Sequence, residues 1–321
     1  MRILLISLLL LQFSFSFGQY KDPKGYVASD SNQEYPAKYE WEKSAKYKNY
    51  TRDSYYLVMR DSVKIAIDVY VPKVKKGHHG KFPTVLHQWR YWRDFQLKWP
   101  YSMLSKAPNG PLGKFFKSII ANGYALVSVD SRGSGASEGW RAHPWTEDER
   151  ADMTEIIDHI IAQSWSDGKI GVAGVSYSGT TSEFAAIEQH PAVKAVVNMY
   201  SLFDVYPDNA FVGGIHNIGF TEVWGEANEA LDRDELPPKA GKAKKFVKGV
   251  SRPKKTFDGR SAKGVFENAQ EQHKRNANVN DGALTIVYRD DKAKSNAAVS
   301  SDFFSPHTYW KDQDASGAAI Y

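Results

Sequence analysis

From Phe82 onward the sequence alternates short apolar runs with helical stretches: FPTVLHQ, GKFFKSIIANG, YALVSVD, ERADMTEIIDHIIAQS, KIGVAGVS, a helix from about Ser178 to Gln189, KAVVNMYS and finally SGAAIY. Such alternation restricts a chain to a mostly parallel sheet with helices on both faces, an α/β architecture. The near-continuous apolar character of VSV and VVNM fits central strands, and Met153, Ile156, Ile157, Ile160 and Ile161 recur at the spacing of one buried helix face. Ahead of this region, YYLVMRDSVKIAIDVYVP (55–72) places β-branched and aromatic residues on both sides of Arg60-Asp61-Ser62, the pattern of a hairpin. The alternation stops at Pro207. We therefore expect the first part of a core over 54–206, a mostly helical inserted cap over 207–312, and a returning core strand beginning at 313–321. The cap carries KAGKAKKFVKGVSRPKK, whose lysines lack interleaved aromatics and read as a solvated face.

The segment with the most chemistry is KIGVAGVSYSGTTSEFAAIEQH, where an apolar strand runs directly into Ser176 and then into a helix. A serine in that position sits on a strained turn that exposes its hydroxyl, so its neighbours two before and two after must be small. Gly174 and Ser178 meet that need, and Gly179 permits close approach of the helix. The start of the helix aims backbone N–H groups at a developing oxyanion, with the Tyr177 N–H as first donor. A bland alternative is a serine that merely caps the helix. In the loop after FPTVLHQ, reading QWRYWRDFQ, Tyr91 is the candidate for a second oxyanion donor through its phenol, or else an aromatic that packs the site wall. The glycines of DSRGSGASEG (130–139) are spaced GxGxxxG with no apolar helix following. That is weak ground for a dinucleotide loop; we expect a structural turn in which Asp130 and Arg132 hold neighbouring loops.

Together GVSYSG, DSRGSGASEG, QSWSDGKIGVAG and QWRYWRD resemble the CocE/NonD-type serine hydrolases, the family of X-prolyl dipeptidyl peptidase, cocaine esterase, glutaryl acylase and α-amino acid ester hydrolase, over about residues 54–321. The resemblance implies an α/β-hydrolase fold with a helical cap and a C-terminal jelly roll. It assigns Ser176 as nucleophile, the Tyr177 amide and the Tyr91 hydroxyl as oxyanion hole, and an acid and then a histidine following a strand like SGAAIY. His190, His216, His273 and His307 read as surface or packing histidines. The expectation is that the acid, the histidine and the jelly roll belong beyond Tyr321. Asp208, just after KAVVNMYSLFDVYP, is a candidate to anchor a substrate ammonium group, or else an ordinary loop aspartate.

At the N-terminus, Met1-Arg2 followed by ILLISLLLLQFSFSFG has the form of an export signal cleaved after Gly18, without the roughly 20 apolar residues of a membrane anchor. Residues 19–53 read as a polar lead-in. The expected location is secreted or periplasmic. With no cysteine, stability has to come from a core rather than disulfides. A net charge of +5 and a pI near 9.0 are too mild to imply nucleic acid. The expected partner is a small-molecule ester or amide or a short peptide, with no cofactor and no metal. Three functions fit: a serine hydrolase working through an acyl-enzyme at Ser176, an X-prolyl dipeptidyl-peptidase, and a non-catalytic module that keeps the sheet without the chemistry.

Overall fold

The computed structural model describes residues 46–74, 80–103, 107–109, 112–294, 299–310 and 319–320. The proposed export signal at 1–18 and most of the lead-in lie outside them. The expected hairpin is present, with β1 (Tyr50–Val58) antiparallel to β2 (Lys64–Pro72) and Val58 opposite Lys64, and β1 begins before the expected boundary at 54.

The series continues with β3 (Phe82–Trp89), β4 (Phe95–Leu97), α1 (Gly113–Ala121), β5 (Ala125–Asp130), α2 (Glu147–Ile161), β6 (Ser166–Val175), α3 (Tyr177–Ile187) and β7 (Val193–Met199). Sheet order is β1-β2-β5-β3-β6-β7-β9, where β9 (Ala319–Ile320) lies parallel beside β7. From β5 to β9 every pairing is parallel. The fold is α/β, as the alternation requires.

Side-chain alternation along β5 separates the two faces. Leu126 packs with Phe116 and Ile120 of α1, whereas Val127 and Val129 join Met153, Ile156, Ile157 and Ile160 of α2. Successive strand residues point to opposite faces, so one helix covers each side. Thr146 starts α2 by accepting the Glu149 N–H, an ordinary N-cap that fixes where the helix begins.

Strand order also fixes where chemistry belongs. The chain runs from β3 to β5 on one side and then returns to β6 on the other, so β3 and β6 flank a topological switch point, and a crevice opens beyond their C-terminal ends. Leu86 of β3 pairs with Val172 of β6. The β3–β6 ladder ends at that pair, and each strand runs on three residues further, to Trp89 and to Val175, at the same end of the sheet. Tyr91 and Ser176 follow immediately, which is why two residues 85 positions apart in sequence share one edge.

After β7 the chain forms short helical turns, α4 (Ile218–Asp232), β8 (Val247–Val250), α5 (Val265–His273), α6 (Val279–Ala283) and α7 (Pro306–Trp310). The expectation of a mostly helical segment did not include β8, which pairs antiparallel with β4. Four residues with little helical pattern found a partner strand outside their own segment, a long-range choice that local periodicity does not carry. The lysines at 239, 242, 244, 245, 248, 254 and 255 are exposed, as a solvated face requires. Among the described residues no helix is long and apolar enough to cross a membrane.

Candidate active site

Ser176 sits between β6 and α3 with φ 59° and ψ −120°. A non-glycine residue held there stores about 1–3 kcal/mol of strain, which the surroundings must impose. Every residue of α3 is buried, yet Ser176 is exposed. Gly174 is needed because a Cβ there would lie 2.2 Å from the Ser178 carbonyl oxygen, and Gly179 because a Cβ would lie 2.4 Å from the Met199 carbonyl oxygen. The expected strained turn between strand and helix is therefore built, and Ser176 makes no side-chain capping bond.

Ser178 does more than remain small. Its Oγ accepts the Val175 N–H at 2.9 Å and donates to the Val175 carbonyl at 3.0 Å, closing a ring across the turn. Beneath it, His87 Nε2 stands 3.2 Å from the same oxygen. With its proton used on Val175, Ser178 can only accept, so His87 carries hydrogen on Nε2. Burial lowers the His87 pKa from 6.5 to about 3. Above pH 6.5 the group is neutral both folded and unfolded and does nothing to stability. Between pH 6.5 and 3 the unfolded chain binds a proton that the folded chain refuses, so stability falls on acidification by about 1.4 kcal/mol per pH unit from this group. His87→Gln should flatten the pH dependence of urea unfolding in that window by one proton; an unchanged slope would mean that His87 is charged in the fold.

Tyr177 has two parts with separate duties. As the first residue of α3 its N–H has no acceptor among the described residues, the state expected of a helix N-terminus open to an anion. Its side chain is anchored: the phenol donates to Glu149 Oε2 at 2.7 Å and accepts the Trp145 N–H at 3.3 Å, while Trp145 stacks on the ring at 4.6 Å and its indole donates to the Tyr177 carbonyl at 3.2 Å. Burial raises the Glu149 pKa, against the lowering by the Tyr177 hydroxyl and Arg141.

Tyr91 lies edge-on to the Tyr177 ring at 5.9 Å, and its hydroxyl accepts the Trp224 indole N–H at 2.7 Å. The preceding residue, Arg90, is buried and donates to both oxygens of Asp232 at 3.1 Å; Arg141 donates to the same carboxylate at 3.1 Å and Asn276 at 2.8 Å. One carboxylate at the end of α4 thus fixes the loop that carries Tyr91. Trp92 adds a bond from its indole to the Leu231 carbonyl. Sequence reasoning missed Trp224, Trp145, Glu149, Asp232 and Arg141 because each acts on the site from a distant segment.

The glycine loop at 130–139 is a structural turn. Asp130 accepts the Arg93 N–H at 2.5 Å, the Arg93 guanidinium at 2.6 Å and the Ala136 N–H at 2.9 Å, and a Cβ on Gly135 would strike that carboxylate. Arg132 joins Asp61 and Asp152 at 2.6 Å each.

Asp208 is exposed, and its carboxylate accepts the Asp204 N–H at 2.8 Å. The four histidines singled out from sequence are engaged elsewhere: His190 with Asp158, His216 with Thr221, His273 between the Ser137 and Asp232 carbonyls, and His307 with Arg289. Among the described residues no histidine hydrogen-bonds Ser176 Oγ. Asp204, Asp302 and His307 lie close enough to share a cation, but Arg289 already bridges both carboxylates.

Next to Tyr91, through Trp224, lies an apolar pocket lined by Leu202, Val205, Phe211, Phe220 and Trp224, with further aliphatic residues from α6 and the segment after it. Among the described residues that line it, none is charged.

Comparisons with known proteins give the family. A family model described as X-Pro dipeptidyl-peptidase (S15 family) matches residues 61–303. A Mycobacterium bovis protein named as a serine esterase is 38% identical over 324 residues, covering 94% of this chain and 49% of its own length. Cocaine esterase from a Rhodococcus species is 32% identical over 159 residues, 49% of this chain and 25% of that protein. A solved CocE/NonD family hydrolase from Staphylococcus aureus is 31% identical with a TM-score of 0.48, covering 59% of this chain and 34% of its own. The chain spans about half the length of the mycobacterial relative that it matches. With the model matched across more than half of its residues, the chain belongs to the X-Pro dipeptidyl-peptidase (S15) family of hydrolases.

Proposed function

We propose that the protein is a serine hydrolase that cleaves esters of neutral, apolar acyl groups through an acyl-enzyme at Ser176. The observation that carries this reading is the exposed, strained Ser176 with the free Tyr177 N–H behind it and the Tyr91 phenol held at the same sheet edge. Ser176 Oγ attacks the carbonyl carbon and gives its proton to a general base. The carbonyl oxygen becomes an oxyanion held by the Tyr177 amide and the Tyr91 hydroxyl. Collapse expels the alcohol, and water then releases the acid and regenerates the serine.

The choice of acyl group rests on the apolar pocket against Trp224, whose lining carries no charge to hold a substrate ammonium. Asp208, engaged with the Asp204 backbone, is not one of its lining residues. The competing reading, release of X-prolyl dipeptides, has the support of the family model and of Bacillus relatives named Xaa-Pro dipeptidyl-peptidase. Export of the protein is part of the proposal and is supported by the pattern of residues 1–18.

Hydrolysis of p-nitrophenyl butyrate should exceed that of an α-amino p-nitrophenyl ester and of an X-prolyl p-nitroanilide by at least tenfold in kcat/KM, and Asp208→Asn should leave that order intact. Intact mass of the exported protein should place its N-terminus at Gln19. A preference for the X-prolyl anilide would replace the ester reading with the peptidase one.

A further inference from the structure

We propose that Trp224 is a positioning residue: by donating its indole N–H to the Tyr91 hydroxyl it aims the phenol proton at the oxyanion. The inference rests on the hydrolase reading, but nothing in that reading requires a contribution from α4. An indole nitrogen can only donate, whereas a phenol carries one proton and two acceptor sites. The 2.7 Å contact therefore has one direction, with Trp224 giving and Tyr91 receiving. This leaves the Tyr91 proton uncommitted, and among the described residues it has no acceptor. A half-buried tyrosine that serves packing alone normally has its own proton satisfied.

The electrostatics agree. Burial pushes the Tyr91 pKa up, while Arg90 and the bond from Trp224 pull it down. The phenol stays protonated near neutrality, and the donated bond strengthens it as a donor, because charge drawn from the oxygen polarises its own O–H.

The mounting is stiff enough to set a direction. Trp224 and Asp232 are eight residues apart on α4, about 12 Å along the axis. Asp232 holds Arg90, the residue before Tyr91, and Leu231 receives the Trp92 indole, so α4 grips the loop on both sides of Tyr91. The helix fixes the loop at one point and the hydroxyl at another. Trp224 is also one of the residues that line the apolar pocket. An acyl group seated there would hold the rotamer on which the proton's direction depends, linking acyl binding to oxyanion stabilisation.

The test uses Trp224→Phe, which keeps a ring and deletes the donor, Tyr91→Phe, and the double variant. The first readout is the second-order rate at which a fluorophosphonate labels Ser176, a reaction that also develops a stabilised oxyanion. Tyr91→Phe should slow labelling by about 10²–10³-fold, the usual cost of one oxyanion donor. Trp224→Phe should slow it by roughly tenfold, the size of one hydrogen bond's orientation. The double variant should be no slower than Tyr91→Phe alone, since Trp224 has nothing left to aim. The second readout is the indole 15N–1H resonance of Trp224, which should move in Tyr91→Phe whether or not the protein reacts. Wild-type labelling in Trp224→Phe, multiplied losses in the double variant, or an unmoved indole resonance each overturns the positioning role and leaves the hydrolase reading intact. A full-length wild-type protein in which Ser176 does not label overturns the hydrolase reading and this inference with it.

Discussion

Ser176→Ala should lower ester hydrolysis by the protein by about 10⁴–10⁶-fold while leaving the fold intact. The substitution removes one oxygen. Alanine keeps the Cβ and so occupies φ 59° and ψ −120° at the same steric cost as serine. The Ser176 N–H bond to the Met199 carbonyl at 3.0 Å does not involve the side chain, and the ring that holds the turn belongs to Ser178. Thermal unfolding should therefore shift by no more than a few degrees. On the proposed reading the apolar pocket and the Tyr177 and Tyr91 donors hold the substrate, so binding should change little and the loss belongs in kcat rather than KM. A variant that keeps a tenth of the activity would remove Ser176 from the reaction.

Asp232→Ala should cost about 3–5 kcal/mol of unfolding free energy, among the largest single effects available in this chain. Arg90 and Arg141 both rely on this carboxylate, and both are nearly inaccessible to solvent. Burial already lowers the Arg90 pKa, with Arg141 beside it adding to the effect and Asp232 opposing it. Removing the acid leaves two buried like charges beside each other, with Glu149 the remaining carboxylate that acts on Arg141. The argument concerns the cost of breaking the cluster; an apolar replacement of all three residues need not be worse than the wild type. Urea unfolding of Asp232→Ala measures the difference directly, and a loss below 1 kcal/mol would show that water reaches the guanidinium groups. Because Arg90 precedes Tyr91, the variant should also label more slowly at Ser176 than the wild type.

The legible part of this protein was the part written in consecutive residues. The strands and helices from Phe82 to Met199 have apolar runs and helical spacing that burial rewards directly, and β3, β5, β6 and β7 form where those runs lie. The elbow was equally readable, since Gly174, Ser178 and Gly179 are required by contacts within a few residues or with the adjacent strand. Local sequence could not show that the Tyr91 hydroxyl would be met by an indole 133 residues away, or that one carboxylate in the cap would hold two core arginines. Those contacts are made by side chains whose spacing is ordinary on their own helices. The pairing of β8 with β4 was hidden for the same reason. Tyr91 itself reads two ways in the sequence, and the bond that its hydroxyl accepts from Trp224 is not written near it in the chain.

The central claim is that Ser176 Oγ is the atom that carries the acyl group. The direct measurement is intact mass and peptide mapping of the protein after brief reaction with a fluorophosphonate and, separately, with a slowly released acyl p-nitrophenyl ester. The account predicts one adduct per chain in each case, located on the peptide containing Gly174-Val175-Ser176-Tyr177 and absent from Ser176→Ala. An adduct on another residue, or ester hydrolysis that persists unchanged in Ser176→Ala, would contradict it.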